Sequence, residues 1–228
     1  VAICGVTAAH VDDARETLRA AGSGDVLAVQ ADLTDPDEVA ALVETTVEEF
    51  GGLDHLVTSA GGPPSGTFLD MDDGDWYRAY DLLVMSVVWT VRAAEPHLRE
   101  GDGGTITAIT SRTVRQAADG LVLSNAVRRA VTGLVQTLAF ELAPAVRVNA
   151  VLPGAHETGR IQDLIEAAVE RGEVPGYETG YEEWASDVPL GRIGEPRELG
   201  DMVAVLASDR ASYVTGAELA IDGGSMRG

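Results

Sequence analysis

The 228 residues carry 37 acidic and 16 basic side chains, every basic one an arginine, for a formal net charge of -21. A surface of that sign repels a phosphate backbone, which excludes nucleic-acid binding as a function class. With 45% apolar residues, no apolar run of membrane-spanning length and no signal peptide, the chain has the material for one core and reads as soluble and cytoplasmic.

Val1 to Gly5 is a short apolar strand that passes through Thr7, Ala8 and Ala9 into a helical pattern ending near Leu18, and Asp25 to Gln30 reads as the next strand. Asp35-Pro36-Asp37-Glu38 opens a helix, with Asp35 as N-cap and Pro36 in the first turn. Val39, Leu42, Val43, Val47 and Phe50 follow its period, and Gly51-Gly52 ends it. Leu53 to Thr58 is a strand followed by a glycine-rich loop, Trp76 to Leu98 a long helix, Thr105 to Thr110 a buried strand, Leu121 to Leu142 a helix and Val146 to Leu152 a strand. After Pro153-Gly154 comes an excursion with short helices at Ile161 to Glu170 and Tyr181 to Trp184. Pro196 to Ala207 resumes regular helix, and Glu218 to Ile221 is the last strand.

Strands apolar on both faces and separated by helices predict an α/β fold, a doubly wound parallel sheet with helices on two sides. Residues 1–228 are read as one Rossmann-like domain with a substrate-loop excursion at about 155–195. The single Cys4 excludes an intramolecular disulfide and is expected to be a buried strand residue in a reducing compartment. The lysine-free acidic composition fits a salt-rich interior or a very GC-rich genome, and it predicts stability that rises with salt as screening shortens.

In an open parallel sheet, ligands sit beyond the carboxyl ends of the strands, so Asp32, Ser59 to Gly62, Thr110 to Ser111 and Pro153 to Thr158 are expected to converge on one edge. Asp32-Leu33 would meet the edge of a polar heterocycle, or else serve as a turn or cap. Ala60-Gly61-Gly62 would let the backbone approach a nucleotide closely, or simply turn tightly. Pro153-Gly154 with Thr158 would place a hydroxyl near exposed helix amides, against an ordinary loop and cap. Ser124 and Arg128 are four apart and share a helix face; with Ser111 they form a ligand-positioning trio, against two satisfied hydroxyls and a surface arginine. His156 is weighed as a proton-transfer group and as a solvated loop histidine. His10, His55, His97 and His156 are dispersed with no metal-ligand spacing, and no Gly-x-Ser-x-Gly elbow marks a serine hydrolase.

The segments DLTDPDEV, LDHLVTSAG, ITAITS, LSNAVRRAVTGLVQTLAFELAP, VRVNAVLPG and PLGRIGEPRELGDMVAVLASDRASYVTGAELAIDGG resemble the short-chain dehydrogenase/reductase superfamily over nearly the whole chain. The resemblance implies an NAD(P)-dependent oxidoreductase that transfers a hydride between the nicotinamide cofactor and a carbonyl or alcohol. Val1 to Gly5 resembles the family's second strand, so its first strand and glycine-rich turn are absent from this sequence. Removing that central strand would leave its neighbours without ladder partners, so the segment is expected to exist in the gene.

By the same resemblance, Asp32 and Leu33 would flank adenine, Ser59-Ala60-Gly61 would pass beside the adenosine ribose, and Pro153-Gly154 with Thr158 would hold the nicotinamide. Ser111 matches the carbonyl-orienting serine. Ser124 stands where the family's general acid/base tyrosine is expected, Arg128 where its lysine is, and Leu83 where its helix asparagine is. Serine is shorter than tyrosine and a poorer proton donor, so transfer would need a bridging water or another acid, such as Tyr177 or Tyr181. Arg128 would contact the cofactor ribose while staying protonated.

The alternative is a nucleotide-binding protein of this fold with little or no reductase activity, serving binding or assembly. Thr7 and the amides near Ala8 would receive a 2'-phosphate, so the cofactor reading is NADP or NAD. The helices Trp76 to Leu98 and Leu121 to Leu142, and the segment Tyr213 to Met226, resemble family interfaces and imply a homo-oligomer, a tetramer or dimer. The substrate excursion, with Tyr177, Tyr181, Trp184, Val188 and Leu190, would cover a small-molecule carbonyl or alcohol.

Overall fold

The computed structural model describes residues 1–22, 24–100 and 103–226. Strands and helices alternate: β1 (Ala2–Gly5), α1 (Ala8–Ala20), β2 (Leu27–Gln30), α2 (Pro36–Phe50), β3 (His55–Thr58), α3 (Asp73–Tyr80), α4 (Ser86–Leu98), β4 (Gly104–Ile109), α5 (Val122–Glu141), β5 (Val146–Pro153), α6 (Gly159–Glu170), α7 (Tyr177–Ser186), α8 (Pro196–Ala207) and β6 (Glu218–Ile221). All strand pairings are parallel. This is the Rossmann-like layered α/β architecture expected.

Local chemistry fixes the helix ends. Asp35 Oδ1 accepts from the Asp37 and Glu38 amides at 2.9 and 3.3 Å, and Gly51 closes α2 at φ 77°, a conformation that favours glycine. The long helix expected from Trp76 starts earlier, at Asp73, because Asp72 and Asp75 form a reciprocal capping box. It is also interrupted by one π turn over Asp81–Met85. Leu83 lies in that turn at 2% exposure and packs into the core.

The period of two along β4 and β5 divides the core. Ile106, Ala108, Val146, Val148, Ala150 and Leu152 pack with α4 and α5. Val151 packs on the other side, with Leu199, Val203 and Leu206 of α8. Each fully buried aliphatic side chain contributes roughly 1.5–3 kcal/mol, so these two central strands carry much of the stability. Asn149, buried on β5, accepts from the Ala217 amide at 3.0 Å and donates to the Val214 carbonyl at 3.0 Å, fixing the approach to β6. A third cluster, Ile161, Ile165 and Ile193 with Trp184 and Tyr181, holds the excursion together.

The ladders run in two pieces, β1-β2 and β3-β4-β5-β6. The facing edges of β1 and β3 are unpaired, and both line a cavity of about 600 Å³. Cys4 is exposed on β1, contrary to the expectation of a buried strand residue.

Candidate active site

Three loops leave the carboxyl ends of β3, β4 and β5 on the same edge, and α5 runs beneath them. Ser59, Ala60, Gly61, Ser111, Ser124, Arg128, Pro153, Gly154 and Thr158 all line one cavity of about 300 Å³. Leu33 lines the neighbouring 600 Å³ cavity, which Ser59, Ala60 and Arg128 also border.

Asp32 does not converge with them. Its Oδ1 accepts from the Thr34 amide at 2.8 Å and the Thr34 hydroxyl at 2.7 Å, and these bonds hold its carboxyl below the usual range. It borders a separate groove with Val6, Gln30 and Glu38. The Thr34 contacts supply a turn role through Oδ1.

Ser111 caps a single 3-10 turn over Arg112–Val114, and its Oγ accepts from the Thr113 amide at 3.2 Å. That bond occupies a lone pair and leaves the Ser111 O–H available as a donor. Ser124, one turn before Arg128 on α5, lies 3.2 Å from the Thr113 hydroxyl. Both serines thus lean on Thr113, which is 3% exposed and was not among the candidate residues. Its signal is the Ser-x-Thr spacing of a local hydroxyl turn. Asn125 bonds both the amide and the carbonyl of Ala118, docking the loop after β4 onto α5.

Gly154 makes the third loop possible. Its amide donates to the Ile221 carbonyl at 2.9 Å, and a Cβ there would fall 2.7 Å from the Asp222 backbone. Thr158 precedes α6 without capping it; its hydroxyl donates to the His156 carbonyl at 3.3 Å. His156 is not the solvated loop residue of the plainer reading. It is buried at 8% exposure, with Nδ1 3.3 Å from the Gly154 carbonyl and the ring against Gly194.

Arg128 donates from Nη2 to the Gly61 carbonyl at 3.3 Å. Its Nε is buried without a hydrogen-bond partner. Burial, reinforced by the charge of Arg160, pushes its pKa down to about 10, so it remains a cation at neutral pH. Arg160, also missed by the sequence reading, donates to the Pro63 carbonyl at 2.9 Å. Tyr177 and Tyr181 line neither cavity. Tyr181 donates to Glu157, and that carboxylate raises its pKa.

The polar inventory fits a nucleotide. Among the described residues Arg128 Nε is buried without a partner, and Arg128 borders the 300 Å³ cavity at the strand ends. An unsatisfied buried donor of this kind suits ribose hydroxyls and phosphate-linked acceptors. Among the described residues no cluster of His, Cys, Asp and Glu could hold a metal ion, and no helix is long and apolar enough to cross a membrane.

The parallel sheet, the strand-end cleft and this donor define a dinucleotide-dependent oxidoreductase of the short-chain dehydrogenase/reductase type. The chain belongs to the family described as enoyl-(acyl carrier protein) reductase, whose model matches residues 1–226. It is 36% identical over 207 residues to L-rhamnose 1-dehydrogenase (NAD(P)(+)) of Azotobacter vinelandii, covering 90% of this chain and 77% of that protein. Its structure is similar to the NADPH-bound short-chain oxidoreductase of Pseudomonas aeruginosa PAO1 containing an atypical catalytic centre, with a TM-score of 0.88, 30% identity, and coverage of 100% of this chain and 87% of that one. It also resembles L-sorbose reductase of Gluconobacter frateurii complexed with NADPH and L-sorbose, with a TM-score of 0.92, 27% identity, and coverage of 100% and 87%. The protein is an NAD(P)-dependent oxidoreductase.

Proposed function

We propose that hydride transfer between NAD(P) and a carbonyl/alcohol pair takes place in the 300 Å³ cavity, with Ser111, Ser124 and Arg128 as its working residues. The observation that carries this reading is the convergence of Ser111 and Ser124 on Thr113 beside the unpartnered Nε of Arg128. When bound, the nicotinamide supplies or accepts the hydride. Ser111, with its oxygen held by the Thr113 amide, turns its O–H toward the substrate oxygen and stabilises charge there. Ser124 stands at the family's tyrosine position but is too short and too weak an acid to serve directly, so it holds the water through which the substrate hydroxyl exchanges its proton. Arg128 takes the lysine's place at the cofactor ribose as a fixed cation. Leu33, Ser59, Ala60 and Gly61 border the adenosine side; Pro153, Gly154 and Thr158 hold the nicotinamide side.

The reading takes residues 1–228 as one Rossmann-like unit in which the excursion at about 155–195 covers a small-molecule substrate. It also takes the protein as a cytoplasmic homo-oligomer. Phe140 on α5 and Tyr213 before β6 are 88% and 103% exposed, which supports partner surfaces at the two expected interfaces. The experiment is to compare S111A and S124A with wild type in both cofactor affinity and turnover. Lost turnover with retained NAD(P)H affinity supports the assignment; unchanged turnover in both variants contradicts it.

A further inference from the structure

The 300 Å³ cavity departs in charge from the rest of the molecule. The chain holds 37 acidic residues, yet among the described residues no Asp or Glu lines this cavity, whereas Arg112, Arg128, Arg160 and His156 do. Two of these arginines meet over one loop. Arg128 reaches the Gly61 carbonyl from α5 and Arg160 reaches the Pro63 carbonyl from α6. A Cβ on Gly62 would lie 2.7 Å from Arg160 Nε and 2.8 Å from its Cζ, so the guanidinium packs directly on the Gly62 backbone.

Among the described residues neither arginine forms an ion pair. Asp163, which favours the charged form of Arg160, is exposed on α6 and does not border the cavity. Desolvation disfavours the charge on both arginines, and Arg160 adds to the effect at Arg128. Two partly desolvated like charges with no ion pair among the described residues are costly and are relieved by an anion entering the cavity beside them.

We propose that Arg160 is a carboxylate-recognising subsite, with Arg128 adding positive charge from the cofactor side, and that the substrate is a compact oxo acid or hydroxy acid. The planar guanidinium matches a carboxylate through two parallel N–H donors. The remaining wall, with Leu121, Ile161, Leu164 and Trp184, suits a short apolar chain or ring between the carboxylate and the reacting carbon. Arg160, Ile161 and Leu164 all project from α6, so one helix supplies both charge and apolar contact. In the oxidative direction the carbinol C–H bond breaks and its hydride passes to NAD(P)+. The hydroxyl proton goes to water, and the carboxylate is unchanged. The proposal rests on the hydride-transfer reading and deepens it.

The test measures kcat/KM for 4-oxopentanoate and 4-oxocyclohexanecarboxylate, each against its methyl ester, in wild type, R160L and R160K at fixed ionic strength. Wild type is expected to prefer the acids at least tenfold. R160L should lower the acid-to-ester ratio at least tenfold through KM, and R160K should recover part of it; thermal melting checks that both variants fold. Equal turnover of acid and ester by wild type, or an R160L loss common to both, would overturn the proposal. So would an R160L loss confined to NADPH affinity, which would make cofactor phosphate the anion. If NAD(P)H binds but nothing turns over, the hydride-transfer reading fails on its own. Calorimetry of cyclohexanecarboxylate against cyclohexanecarboxamide on the cofactor-loaded protein then decides the subsite. A preference for the carboxylate that R160L removes supports it, and no preference refutes it.

Discussion

Ser111 and Ser124 depend on the same neighbour for their orientation but are asked for different chemistry. Ser111 gives a hydrogen bond to a developing negative charge, and removing one such donor costs about 100-fold in turnover. Ser124 holds a water instead of donating as a strong acid, so S124A is expected to cost only about tenfold, well short of a missing general acid. A loss in S124A as large as that in S111A would mean that Ser124 acts directly. Both serines were legible from spacing, because a strand-end hydroxyl and an i, i+4 pair on a following helix point to one edge. Thr113 and Arg160 were not: their roles depend on which side of a loop the backbone turns. A carboxylate at a strand end suits a ligand and a local turn equally, and the Thr34 contacts show the turn at Asp32.

At the scale of elements, capping chemistry and hydrophobic period located the regular helices. Pro196–Ala207 matches the sequence reading residue for residue. The π turn at Asp81–Met85 was hidden, since Trp76 to Leu98 keeps a continuous helical composition through it. The start of α8 carries a pH-dependent clamp. Arg192 donates through Nη1 and Nη2 to the two Glu198 carboxylate oxygens at 2.8 and 2.6 Å, and the Glu195 amide donates to Glu198 at 2.8 Å. These bonds lower the Glu198 pKa to about 2.

The folded protein therefore binds fewer protons at this site than the unfolded chain between that value and the ordinary value of about 4.3. The clamp's stabilisation is complete above the ordinary value and is lost as pH falls through about 2. Carboxyl-carbon NMR titration is expected to show a depressed midpoint for Glu198 in wild type and a rise toward the ordinary value in R192L. An ordinary midpoint in wild type would contradict the clamp.

For the molecule as a whole, the charge reading and the split sheet follow from different parts of the sequence. Among the described residues the ladders form two pieces, β1-β2 and β3-β4-β5-β6. Eight ion pairs are formed among the described residues, so most of the 37 carboxylates face solvent without a cation. Raising potassium chloride from roughly 0.1 M to roughly 2 M shortens the screening length from about 10 Å to below about 3 Å and should raise the melting temperature. An unchanged or lowered value would show that self-repulsion is not a significant cost.

The most direct measurement is hydride transfer by the protein as its gene encodes it, in high salt. The absorbance of reduced nicotinamide is followed with NAD(H) and NADP(H) against a panel of ketones and secondary alcohols, after calorimetry has established cofactor binding. Turnover with at least one cofactor is the predicted result. Tight cofactor binding with no turnover across a panel that includes the oxo acids would contradict hydride transfer in this cavity and leave a catalytically silent nucleotide-binding protein.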